Sequence, residues 1–189
     1  MAGQSQGTTM TNEAQHRYLY RIDGNDRIIF VSPEWLRFAQ ENDAPELTGD
    51  EVLGRPIWQF IAGRDSREFY ETVFRNLRLR GAEITIPFRC DSPSVVRQMD
   101  LTMRLRPEDS IECEGVLLQA KPREPITILL RWVVRTEESI PICTFCRRLS
   151  IYGQWLELHE AVSFGNITNT APVPRLQETV CPQCNCITE

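Results

Sequence analysis

Apolar and polar positions alternate along two long stretches of this chain. Ile84, Ile86, Phe88 and Cys90 alternate with Thr85, Pro87 and Arg89, and Met99, Leu101, Met103 and Leu105 with Gln98, Asp100, Thr102 and Arg104. A period of two over such runs predicts an antiparallel sheet with one face on a core. Ile111, Cys113 and Gly115 open another strand that runs to about Ala120. Pro87 has no N–H to give to a ladder, so its strand belongs at an edge or a bulge. Nearer the start, Tyr18, Tyr20 and Ile22 fall on one face of a strand. The turn Asp23-Gly24-Asn25-Asp26 leads from it into a second strand over 27–31, which makes a hairpin.

The period then changes. Ser32-Pro33-Glu34 predicts a helix start: Ser32 caps, Pro33 suits the first helical position and Glu34 faces the positive end of the dipole. Short helical pieces follow around Gly54 and Pro56. The clearest helix is predicted over 65–80, where Phe69, Val73 and Leu77 are spaced by four. Asp65 with Glu68 resembles a capping box, and Gly81 stops the helix. Ile126 to Arg135 is an apolar run that periodicity leaves open between a strand and a linking helix.

The order strand, strand, helices, long helix, three strands resembles the PAS fold. The segment from Tyr20 to Trp35 is similar to the opening of a PAS domain, and Val52 to Ile61 to its middle helical region. The resemblance implies an α+β architecture: a five-stranded antiparallel sheet with helices on one face. On this reading residues 1–15 form a disordered tail, 16–124 a PAS-like sensor domain, 125–140 a linker and 141–189 a four-cysteine module. PAS domains bind small ligands or pair with partners. Trp35, Phe38, Trp58, Phe60, Phe69 and Phe74 are the aromatics that such a pocket would draw on, or they are simply core. Haem and flavin are not expected. His16 precedes the fold, and Arg89-Cys90-Asp91 ends a strand where the flavin-adduct class carries Asn-Cys-Arg on a helix.

The sharpest chemical signal lies in the tail. Cys143-Thr144-Phe145-Cys146 and Cys181-Pro182-Gln183-Cys184 are two Cys-x-x-Cys turns. Each places two thiolates on one side of a tight loop, and two such turns complete the tetrahedron that zinc prefers. The intervening Trp155, Leu156, Leu158, Val162 and Phe164 supply a mini-core. So small a segment buries little surface, and a metal clasp would stabilise it directly. The alternative chemistry is thiol redox, which Arg147 and Arg148 beside Cys146 would favour, but the βαβ context of thioredoxin-like proteins is missing. Cys186 and His159 are expected to be bystanders, and Cys90 and Cys113 to be packing residues. The pattern, with Gly153-Gln154-Trp155-Leu156 between the pairs, also resembles a cysteine module found after bacterial sensory domains. That resemblance implies a stand-alone signal-transduction protein with a protein partner, and a homodimer is one pairing expected of it.

Composition changes this picture little. Hydrophobic residues make up 41% and charged residues 25% of 189, which suits a globular protein with a real core. The net charge of −5 and the lack of a basic stripe argue against nucleic acid as a partner. Lys121 is the sole lysine against many arginines, a bias of GC-rich bacterial genomes. No run reaches the ~20 apolar residues of a membrane span, so a cytoplasmic protein with reduced thiols is expected. No nucleophile–histidine–acid set and no phosphate loop is apparent, so an enzyme is not expected. A redox- or metal-responsive regulator, with nucleic-acid binding as its output, is the competing reading.

Overall fold

The computed structural model describes residues 17–165, 167 and 169–186. The tail expected at 1–15, and His16, lie outside them. The first half is a five-stranded antiparallel sheet: β1 (Arg17–Ile22), β2 (Ile28–Val31), β3 (Ile84–Arg89), β4 (Val95–Leu105) and β5 (Ile111–Pro122), in the order β2-β1-β5-β4-β3. Pro87 thus sits in an edge strand, where its missing N–H costs least. Between β2 and β3 lie α1 (Pro33–Glu41), the short α2 (Gly49–Val52) and α3 (Arg64–Arg80). Ser32 caps α1 through its hydroxyl, which accepts from the Trp35 N–H at 3.1 Å.

The period-two pattern sorts the sheet faces as expected. Ile22, Ile86, Met103, Ile111 and Cys113 are buried against Phe69, Val73, Phe74 and Leu77 of α3. The opposite face carries charge. Arg17 and Arg104 both hold Glu114, and Arg21 and Arg106 both hold Glu112. Arginine thus stands across the strands from glutamate, the arrangement that favours cross-strand pairs.

The helix start at α3 differs from the expected capping box. The helix begins at Arg64 after Gly63, and no side chain caps it. Asp65 instead accepts a hydrogen bond from the Thr179 hydroxyl, far along the chain. Gly63 has φ 81°, and a Cβ there would lie 2.3 Å from the Glu178 carbonyl oxygen. Glycine is therefore required twice, by conformation and by contact.

The second half holds a four-stranded sheet in the order β8-β7-β6-β9. Its strands are β6 (Arg135–Cys143), β7 (Leu149–Ile151), β8 (Gln154–Leu156) and β9 (Val173–Thr179), with α4 (Leu158–Phe164) and α5 (Pro182–Asn185). The boundaries at 125–140 need correction. That segment is not a plain linker: Ile126 and Ile128 belong to the buried core of the second sheet, with Ile142, Leu149, Ile151, Leu158 and Val173, and β6 begins at Arg135. The start of the apolar run is buried and forms one 3-10 turn, Thr127–Leu129, whereas Leu130, Trp132 and Val134 are exposed. The run from Ile126 to Arg135 is therefore neither a strand nor an α-helix along its length. In the expected mini-core, Leu156, Leu158 and Val162 take their places, whereas Trp155 packs on the first core and Phe164 is exposed.

The charged sheet face sets an acid limit. Burial works to raise the Glu112 and Glu114 carboxyls, but hydrogen bonds from Arg106 and Arg21, and from Arg17 and Arg104, outweigh it and hold both below the usual 4.5. A carboxyl lowered in the fold stabilises above its unfolded value, and the effect disappears as pH falls through the folded value. The double variant Glu112→Gln/Glu114→Gln is expected to lose about 1 kcal/mol at pH 7. Urea titrations of both proteins should show that difference shrinking below pH 4.5. The variant Gly63→Ala is expected to cost more, about 2 kcal/mol or above, in the same titration at pH 7.

Candidate metal centre

The parallel pairing of β6 with β9 brings the cysteines together. Its register sets Cys143 opposite Thr179, so both strands end at the same level. The chain leaves β6 through the turn 143–146 and leaves β9 through 181–184. The first turn closes by Arg147 N–H to Cys143 O at 3.0 Å, the second by Cys184 N–H to Cys181 O at 3.0 Å.

The four Sγ atoms of Cys143, Cys146, Cys181 and Cys184 lie within 4.8 Å of one another. Cys146 and Cys181 Sγ are 3.7 Å apart. A zinc–thiolate bond of about 2.3 Å implies tetrahedral edges of about 3.8 Å, so the set fits a tetrathiolate ion. The same spacing is far beyond a disulfide bond, and all seven cysteines are free thiols. The Cys181 N–H points to the Cys143 sulfur at 3.4 Å, as outer-shell donors do around metal thiolates.

Without a metal three of the thiols act on one another. A hydrogen bond from Cys146, against the cost of burial, holds Cys143 well below its usual value. Cys146 is driven up by the same pairing and by burial. Burial first, and the charge on Cys143 second, push Cys184 up to about 12. Charge on Cys143 thus works against charge on Cys146 and Cys184. A divalent cation reverses that balance and displaces their protons.

The bystanders stay apart. Cys186 is exposed and donates to the Pro182 carbonyl at 3.3 Å, and His159 is exposed on α4. Cys113 is fully buried and pushed up to about 12 by burial, and burial also raises Cys90 just past β3.

The cluster is not an appendage. Cys143, Phe145 and Cys181 belong to the same buried core as α3 and the first sheet. The Phe145 ring lies 4.5 Å from Phe69 and 5.8 Å from Tyr70. The Arg89 N–H donates to Phe145 O at 2.6 Å, and the Ser66 and Thr144 hydroxyls meet at 2.6 Å. A row of ion pairs crosses the same junction. Arg123 and Arg89 hold the wholly buried Asp91, and Arg89 and Arg148 hold Glu157.

Between the two halves lies a cavity of about 340 Å³. Tyr20, Ile28, Val31, Trp35, Ile57, Phe60, Ile61 and Tyr70 form its apolar walls; Thr144, Arg147 and Glu178 of the cysteine half close it. Of the six aromatics singled out in the sequence, Trp35 and Phe60 line this cavity. Trp58 packs on Phe74 at 5.6 Å and Phe69 on Phe145, all within the core. Phe38 stands elsewhere, on Tyr18 at 4.5 Å beside a polar surface hollow. Thr144, Arg147 and Glu178 had no pocket signal in the sequence, because they reach the cavity only through the long-range docking of β6 and β9.

No protein-family model matches this chain, and no curated protein matches it. Solved structures similar to it include the following. The PAS domain of the Cronobacter turicensis RpfR quorum-sensing receptor, in complex with C12:0, is 14% identical with a TM-score of 0.41, covering 55% of this chain and 95% of that one. The photoactive yellow protein domain of the sensor histidine kinase Ppr from Rhodospirillum centenum is 13% identical with a TM-score of 0.41, covering 57% and 97%. The Aer2 receptor from Vibrio cholerae, a dual PAS-heme oxygen sensor, is 12% identical with a TM-score of 0.38, covering 55% and 95%. The first half of the chain has a PAS-like fold. That statement rests on its own sheet, five antiparallel strands in the order described with the helices on one face. No helix among the described residues is long and apolar enough to cross a membrane.

Metal analysis of freshly purified protein is expected to give one ion per chain. Cys181→Ser is expected to lose it and to lower the melting temperature by about 10 °C or more, since the ligand is buried and the site lies in a shared core.

Proposed function

We propose that the chain is a sensory and protein-interaction unit of a signal-transduction system, and that its four cysteines hold a structural zinc. The observation that carries this reading is the shared wall: the cavity of the PAS-like half is closed by residues from the cysteine half. A small molecule in the cavity then touches both halves, and its binding energy is felt in their docking. Zinc is assigned a holding role because its ligands are half-buried to buried and lie in the core, with no cavity-lining residue among them. An all-thiolate tetrahedron suits zinc and also iron, which the metal analysis separates. The Arg147 and Arg148 side chains are paired with Glu178 and Glu157, which favours a charge-balancing role over activation of a redox thiol. On this reading the protein binds rather than catalyses, and its output passes to a protein partner.

The uncharged probe 2-naphthalenemethanol tests the shared wall. It should bind the zinc-loaded chain and slow hydrogen exchange at 141–148 and 175–184. Absence of binding, or binding that leaves exchange in those segments unchanged, would remove the sensory reading.

A further inference from the structure

The wall of the cavity between the two halves carries two charged groups, and they are engaged with each other. Arg147 and Glu178 are those groups; the rest of the described lining is uncharged. The Arg147 Nη1 donates to both Glu178 carboxylate oxygens, at 2.9 and 3.2 Å. Neighbouring groups fix the pair in place. The Thr144 hydroxyl donates to the same carboxylate at 3.0 Å, and with its proton so used it accepts from Ser66 at 2.6 Å. The Glu178 backbone lies so close to Gly63 that a Cβ there would meet its carbonyl oxygen. Arg147 keeps its position with φ 60°, in the left-handed region that glycine adopts freely and a side chain resists. Strain of this kind is retained where the side chain is used, and here the side chain neutralises Glu178.

The other polar groups of the wall supply no charge. The Tyr20 hydroxyl is hydrogen-bonded to the buried Cys113 thiol, and burial raises both the Tyr20 and the Tyr70 phenols, so neither ionises. Ile28, Val31, Trp35, Ile57 and Phe60 make most of the remaining surface aliphatic or aromatic. An ion entering this space gives up hydration to an apolar wall, a loss offset only where it finds a charged partner. An anion meets Glu178 together with Arg147, and a cation meets Arg147 together with Glu178. Neither finds a free counter-charge, whereas an uncharged molecule needs none.

We propose that the cavity selects an uncharged, largely apolar molecule, and that the Arg147–Glu178 pair sets this specificity by cancelling the charge of the wall. The inference rests on the sensory reading of the cavity and adds the class of ligand to it. A volume of about 340 Å³ lies near the lower end of the roughly 300 to 1,000 Å³ of small-molecule sites, which suits one fused ring or a short chain. Removing either partner leaves the other as a free charge in the wall, so the two residues predict opposite changes of preference.

Calorimetric titration of the zinc-loaded full chain with three probes that share one ring system tests this: 2-naphthalenemethanol, the anion 2-naphthoate and the cation 2-naphthylmethylammonium. The alcohol is expected to bind about tenfold or more tightly than either ion. Glu178→Gln leaves Arg147 unpaired and is expected to shift the acid-to-alcohol affinity ratio about tenfold toward the acid. Arg147→Gln leaves Glu178 unpaired and is expected to shift the ammonium-to-alcohol ratio by a similar factor toward the cation. Each variant is scored on protein that keeps one zinc per chain and a cooperative melt, and if one fails to fold the other carries the test. An ion that binds the parent as tightly as the alcohol, or a folded variant whose ratio does not move, overturns the proposal and leaves the sensory reading standing. Failure of all three probes to bind folded, zinc-loaded parent protein overturns the two together.

Discussion

The Phe145 ring, buried against Phe69 and Tyr70 of α3, is the contact by which the two halves become one core. It sits between Cys143 and Cys146, so the first cysteine turn cannot move without dragging it. An aromatic ring in such a place contributes a large share of the local burial energy, and it has no room to slide. Around it stand the Ser66–Thr144 contact, the Arg89 N–H on the Phe145 carbonyl and the Gly63 backbone against Glu178. Each positions the cysteine half relative to α3, and α3 in turn supplies Tyr70 to the cavity.

Charge follows the same geometry. The Asp91 side chain is wholly buried, a costly position for a carboxylate, and it is held by Arg89 at the end of β3 and by Arg123 just past β5. Arg148 and Arg147 leave the metal turn and pair with Glu157 and Glu178. A zinc tetrathiolate held there would carry net negative charge, and Arg148, which feels the charge of Cys146 and Cys181, would offset part of it. The outer face of the first sheet uses arginine and glutamate differently, as partly exposed cross-strand pairs that contribute less and are sensitive to salt.

Much of the first half was legible in the sequence because its signals are local. Ile84 to Arg89 and Met99 to Leu105 alternate over lengths that only a sheet explains, and Phe69, Val73 and Leu77 mark one helix face. The edge position of Pro87 followed from its missing donor. The cysteine set was legible from spacing alone, since two short turns carry their own geometry. What escaped is what depends on distant partners. The strands β7 and β8 have three residues each, too few to show a period. The β6–β9 pairing is parallel and joins segments more than thirty residues apart, with no local trace. Asp65 read as a helix cap because its competitor, Thr179, lies over a hundred residues away. Trp58, Phe69 and Phe74 looked like pocket residues for the same reason that they are core: aromatics at helical spacing serve both.

The parallel register of β6 and β9 also sets an order in time. The strands of the first sheet and α3 precede both cysteine turns in the chain, and the turn at 181–184 follows everything it closes. During synthesis the PAS-like core emerges first with the Phe145 docking site and the cavity uncovered. Contacts between distant segments form late, after the local ones have paid their entropy. An ion held by all four cysteines would therefore bind last, as the step that shuts the junction between the two halves, and a shortage of metal would leave that junction open.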